Sequence, residues 1–135
     1  MTGRIAGFFL GILIAIPAMG GESLQGADRL LCTPGAISHC VIGGECKSGA
    51  PASVNVPSFI EIDLKGKTLS TTQASGEDRS TTVQHRIRKD GHIYLLGVEL
   101  GRAFVITIAE ATGDMVLMVG TDSQTGTMFG ACTPD

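Results

Sequence analysis

The chain has 135 residues, with 10 Lys or Arg against 13 Asp or Glu, a formal net charge of −3, four cysteines, one tyrosine and no tryptophan. That length holds one domain around one core. A mildly acidic chain with no lysine or arginine run lacks the footprint of a nucleic-acid partner or of binding to an anionic membrane, and so few aromatics argue against stacking platforms and aromatic ligand cages.

In chain order, Met1 to Arg4 is short and basic, Ile5 to Ile16 is an apolar and glycine run, and Pro17-Ala18-Met19-Gly20 closes it with small residues. This is the three-part layout of a secretory signal peptide over residues 1–20, cut after Gly20. The apolar stretch is shorter than the roughly 20 residues needed to span a bilayer core, so no stable membrane insertion is expected after cleavage. The expected location is periplasmic or secreted. Residues 21–28, polar and glycine-bearing, read as a flexible leader, and residues 29–135 as a single β domain. Loss of Arg4, the one charge in the removed segment, takes the net charge to −4.

Arg29 to Pro57 is dense in cysteine, glycine, proline and serine, and reads as irregular structure tied by covalent bonds. Ser58 to Leu64 alternates strictly, with Ile60, Ile62 and Leu64 on one face and Glu61 and Asp63 on the other, the mark of a half-buried strand. Lys65-Gly66-Lys67 turns into Thr68 to Thr72, and Ser75 to Arg79 is a charged loop. Thr81 to Arg88 alternates again, which predicts Val83, His85 and Ile87 inward and Gln84, Arg86 and Arg88 outward. His85 is then a candidate cavity-facing group. Asp90-Gly91 is a strong hairpin signal leading into His92 to Gly97. The loop Val98 to Gly101 precedes Arg102 to Ala109, Thr112-Gly113-Asp114 turns into Met115 to Gly120, and Thr121 to Gly126 leads to a last strand, Thr127 to Cys132.

Six or seven strands in hairpin succession, with no helical periodicity, predict an all-β antiparallel meander. It buries one face by closing into a small up-and-down barrel, with a β-sandwich as the alternative. Val116, Leu117, Met118 and Val119 are contiguous, so the final strands are apolar on both faces. Either the cysteine-rich segment covers their outer face, or that face is a patch for a partner or a dimer.

Cys32, Cys40, Cys46 and Cys132 all follow the signal segment and meet an oxidising compartment. Four cysteines allow three pairings. In a meander that closes, the first and last strands become neighbours, so Cys32–Cys132 staples the seam and Cys40–Cys46 closes the loop Val41-Ile42-Gly43-Gly44-Glu45. A metal site at Cys32, Cys40 and Cys46 with His39 fits no zinc spacing, and neither metal nor cofactor is expected.

The catalytic templates fail. No serine sits in a G-x-S-x-G elbow, the three histidines are scattered, and Ser38-His39-Cys40 are sequence neighbours that point to alternate faces of an extended segment. Glu61 and Asp63 read as a solvated strand face. Arg79, Arg86, Arg88 and Arg102 are able to gather on one outer surface after hairpin pairing. No enzyme class is supported.

Phe59-Ile60-Glu61-Ile62-Asp63, the run Leu96 to Phe104 and the terminal Phe129-Gly130-Ala131-Cys132-Thr133 resemble a group of small secreted proteobacterial β proteins, a resemblance that implies no activity. Ala74-Ser75-Gly76 with Arg79 is also similar to the serine-glycine loop of periplasmic inhibitors of c-type lysozyme. That resemblance implies an exported barrel in which Ser75, Gly76 and Arg79 meet a partner; the family's adjacent tyrosine and core tryptophan are missing here. The expected function is a non-catalytic interaction module for a protein or envelope component. The alternatives are a small-ligand-binding barrel and a lysozyme-inhibitor-like protein.

Overall fold

The structure, a computed structural model, describes residues 22–135; the segment read from the sequence as a signal peptide, residues 1–20, lies outside them. Ten strands follow in order: β1 Arg29–Val41, β2 Lys47–Gly49, β3 Ile60–Asp63, β4 Thr68–Thr71, β5 Ser80–Thr82, β6 His85–Lys89, β7 His92–Glu99, β8 Arg102–Ala109, β9 Asp114–Gly120 and β10 Gln124–Pro134. The only helical pieces among the described residues are two 3-10 turns, Pro51–Val54 and Gln73–Ser75. The antiparallel sheet runs β5-β4-β3-β1-β10-β9-β8-β7-β6, with β2 beside β1, and curls into a half-barrel.

The seam is where the cysteines placed it. β1 pairs with β10 over a long ladder that sets Cys32 opposite Cys132, and the two are bonded with Cα atoms 4.0 Å apart. Cys40 and Cys46 form the second disulfide. The region read as irregular therefore begins with a 13-residue strand. Its proline is accommodated by a break in the ladder between Pro34 and Ile37, the setting in which a strand tolerates a missing N–H.

Alternation builds the core. The register places Leu95, Ile106, Leu117, Met128 and Ile37 in one row across β7, β8, β9, β10 and β1, and all five are buried. Ile60 and Ile62 face them from β3 and Leu64 from just beyond its end, all buried as their spacing required.

Two expectations are corrected at the edges of the sheet. Ser80 to Lys89 is one chain run but two strands: Val83 N–H donates to Lys67 O at 2.8 Å, and Gln84 N–H then donates to Leu96 O at 2.9 Å. At that change of partner the alternation slips by one residue. Arg86 and Arg88 come opposite the buried Leu95 and Ile93, whereas His85 and Ile87 share the outer face with Leu96 and Tyr94. His85 is exposed on the outer face. The two arginines instead bridge the gap in the half-barrel. Arg86 donates to Leu64 O, and Arg88 donates to Ala27 O at 3.3 Å and pairs with Glu110 at 2.9 Å.

The second correction concerns the leader. Leu24 is 0% exposed, within the core cluster, and its N–H donates to Glu110 O at 2.7 Å. One apolar side chain in a polar stretch suffices to dock it, since full burial of a leucine contributes about 1.5–3 kcal/mol. Residues 22–28 plug the end of the half-barrel that Arg86 and Arg88 close.

Candidate functional site

The opposite end is open and carries the side chains that packing does not explain. The strand register brings the β7–β8 turn, the β9–β10 turn and the end of β1 to this mouth: Glu99 pairs with Arg102, Ala103 with Gly120, and Val41 with Gln124. The segment Ala50 to Pro57 lies across it as a strap, with Val56 buried and Val54 packed against the core.

A charge network pins the strap. Arg79 donates to Asn55 O at 3.1 Å, Asn55 Oδ1 at 3.3 Å and Glu99 Oε1 at 3.0 Å. Arg102 donates to Val54 O at 2.7 Å and lies 3.6 Å from the other oxygen of Glu99. The Thr81 hydroxyl also donates to Glu99 Oε1, at 2.8 Å. All three charged side chains are half-buried, so each guanidinium is held by strand carboxylate and strap carbonyls together, a geometry that suits its forked donors.

Beneath the network lies an apolar cavity of about 60 Å³, walled by Ile60, Leu69, Phe104, Ile106, Leu117 and Val119. Grooves flank it. One runs between Phe59, Ser75, Glu77 and Arg79. Another runs from Leu100 past the strap to His39, Gln124 and Thr125. The four arginines split into two pairs: Arg79 and Arg102 meet at the mouth, while Arg86 and Arg88 close the far end.

Ser75 and Arg79 line one groove beside the mouth. The Ser75 hydroxyl donates to Thr72 O at 2.6 Å and accepts from Glu77 N–H at 3.3 Å, which closes its own turn; Gly76 supplies the left-handed residue after it. His39 Nε2 lies 3.1 Å from Gln124 Oε1, and its neighbour Cys40 is disulfide-bonded, so Ser38-His39-Cys40 forms no relay. All four cysteines are spent in disulfides. Asp63 accepts from Gly66 N–H at 2.6 Å, a turn contact.

Residues that sequence reasoning passed over complete the rim. Leu100, assigned to a loop, occupies the first position of a two-residue hairpin turn and is 74% exposed. With φ of +49° at Leu100 and +75° at Gly101, the turn has the positive-φ pair of type I′, for which Asn or Asp with Gly is the usual choice. The same geometry recurs at Asp90-Gly91, with φ of +51° and +73°, where the residue is the usual one. Ile42 is 79% exposed at the tip of the disulfide-closed loop, which is anchored by its own N–H to Ser123 O at 2.8 Å. A leucine in a turn that wants asparagine was the available signal, legible once the strands on either side are extended by two residues.

Comparison with family models, with curated proteins and with solved structures finds no match to this chain.

Proposed function

We propose that the protein is a non-catalytic interaction module, secreted or periplasmic, that engages a protein of the cell envelope through the mouth of its half-barrel. The observation that carries this reading is Leu100. A left-handed backbone costs an ordinary L-residue about 1–2 kcal/mol, and this side chain is left mostly in water, so the fold gains little from leucine there. An apolar side chain held against its backbone preference on a rim is what a contact residue requires. Ile42 on a covalently closed loop adds a second apolar contact that is already ordered before binding.

Two formed disulfides support an oxidising location, and a cut after Gly20 would leave the docked Leu24 in the mature chain. The size of the inner cavity favours a macromolecular partner over a small ligand held inside. At about 60 Å³ it falls well below the roughly 300–1,000 Å³ of small-molecule sites.

The test uses immobilised wild-type protein beside Leu100→Asn and Ile42→Asp as baits for envelope extract, with retained proteins quantified by mass spectrometry. A partner retained by wild type and lost at least fivefold on both variants is expected. Equal retention on all three baits would remove the mouth from the reading. Reproducible turnover by the metal-free protein in a broad hydrolase screen would remove the non-catalytic class itself.

A further inference from the structure

The two disulfides are set into the sheet in opposite ways. Cys32 and Cys132 are 0% and 3% exposed, and the sulfur of the buried Met115 lies 3.7 Å from Cys132 Sγ. Their bond sits inside the β1–β10 ladder, which continues past it in both directions, and Cys32 also pairs with Ile60 of β3. Cys40 is half-buried and Cys46 is exposed. β2 pairs with β1 at Ile37–Gly49, Ser38–Ser48 and His39–Lys47. Cys40 and Cys46 stand one position beyond, at the open end of that short ladder.

What holds two sulfurs together once their bond is broken decides how readily it is reduced. Thiols kept face to face re-form the disulfide at once, and thiols free to part do not. The sheet keeps Cys32 against Cys132 by pairing β1 with β10 on one side and β3 on the other. Cys46 lies outside every strand. Besides the disulfide, the loop it closes has a turn bond of its own, from Gly44 N–H to Val41 O at 3.0 Å, and the bond from Ile42 N–H to Ser123 O. Beyond Cys46 the chain enters β2, a strand of three residues. Access acts in the same direction. An attacking thiolate has to reach its sulfur, and of the four cysteines Cys46 alone is exposed.

We infer that Cys40–Cys46 is a reversible redox site, opened by a dithiol while Cys32–Cys132 stays closed. One thiolate of the dithiol attacks Cys46 Sγ; the Cys40–Cys46 bond breaks, and its electron pair leaves on Cys40 Sγ, which takes up a proton. The second thiolate attacks the reductant's sulfur in the resulting mixed disulfide. That closes the reductant's own disulfide and releases Cys46, which takes up the second proton. Two electrons pass to the cysteine pair, with the two protons the dithiol gives up. Opening the bond leaves β2 on a ladder that is marginal by itself. The strap that follows β2 has its backbone bonds internal, Ser53 to Ala50, Asn55 to Ala52 and Val56 to Pro51. The site thus governs how firmly Ile42 and the start of the strap are held, and it does not depend on the function proposed for the mouth.

The test incubates the purified, disulfide-intact protein in mixtures of reduced and oxidised dithiothreitol, quenches with acid, alkylates free thiols and maps them by peptide mass. Cys40–Cys46 should be half-reduced at a reduced-to-oxidised ratio at least about tenfold lower than Cys32–Cys132, and should react at least about a hundredfold faster. With that pair alone reduced, the Ile42 amide should exchange at least about tenfold faster while the Ile106 amide stays protected and unfolding stays cooperative. Oxidised dithiothreitol should then restore the same bond. Reduction of both disulfides together, or of Cys32–Cys132 first, overturns the inference. So does an Ile42 amide indifferent to reduction, and so does reoxidation to another pairing. No step uses a partner, so these outcomes stand apart from the retention experiment on the mouth.

Discussion

Replacing Leu100 with asparagine is expected to stabilise the fold, although it removes a large apolar side chain. Leu100 has φ of +49°, a region that costs an ordinary residue about 1–2 kcal/mol and asparagine much less. Because the side chain is 74% exposed, truncation forfeits only about a quarter of the roughly 2 kcal/mol that full burial of a leucine provides, about 0.5 kcal/mol. The difference is a net gain of about 1 kcal/mol, which for a domain of this length raises the melting temperature by about 3–6 °C. The reciprocal change, Asp90→Leu, puts leucine into the same turn geometry at φ of +51° and is expected to cost about 1 kcal/mol. Urea unfolding followed by far-ultraviolet circular dichroism separates the cases: the midpoint should move in opposite directions with the slope unchanged. A Leu100→Asn protein no more stable than wild type would refute the claim that leucine is held there against its backbone preference, and with it the main support for the mouth as the site.

Three further outcomes follow from the fold. Cys132→Ser opens a disulfide spanning a sequence separation of 100, which the chain-entropy model values at about 4.7 kcal/mol; urea unfolding should show most of the domain's stability lost, against a loss of about 2 kcal/mol when Cys40 and Cys46, six apart, are both changed to serine. Leu24→Ala should cost about 2–5 kcal/mol, measured the same way, and amide exchange should accelerate at Glu110 and Arg88, which close that end. Gly113→Ala should fail to fold or lose several kcal/mol, because φ is +76° and a Cβ there runs into the backbone carbonyl of Cys132; expression yield and thermal melting check it.

What was legible in the chain was whatever is local or topologically forced. Ile60, Ile62 and Leu64 announced their strand because a period of two has few other causes, and Asp90-Gly91 announced its turn because few residues accept two positive φ values in succession. The Cys32–Cys132 bond was legible for a different reason: a closing meander has one seam, and the end strands must meet there. The phase of β6 was not. Alternation carries through Val83 in the sequence, but the strand changes neighbour between Val83 and Gln84, and a slip of one residue inverts every side chain after it. That slip turned His85 outward and brought Arg86 and Arg88 to the inner edge. Leu24 was hidden because a lone leucine has no period, and Leu100 because reading Val98 and Glu99 as loop removed the two-residue turn that makes it unusual.

The two ends of the half-barrel differ in how their turns are built. At one end Arg88 reaches Glu110 and Ala27, Arg86 reaches Leu64, and Leu24 is buried in the core. The hairpin turn there is Asp90-Gly91, the combination that the backbone prefers. At the other end the same turn geometry is built with Leu100, and the neighbouring loop, fixed by a disulfide and a backbone hydrogen bond, carries Ile42 into solvent. One chain thus contains both solutions to a single steric problem, the relaxed one at the closed end and the strained one at the mouth. Packing explains the first and has no use for the second. On the proposed function the mouth is the end at which a partner would cover Leu100 and Ile42, and exchanging the two turn residues tests that asymmetry without touching the core.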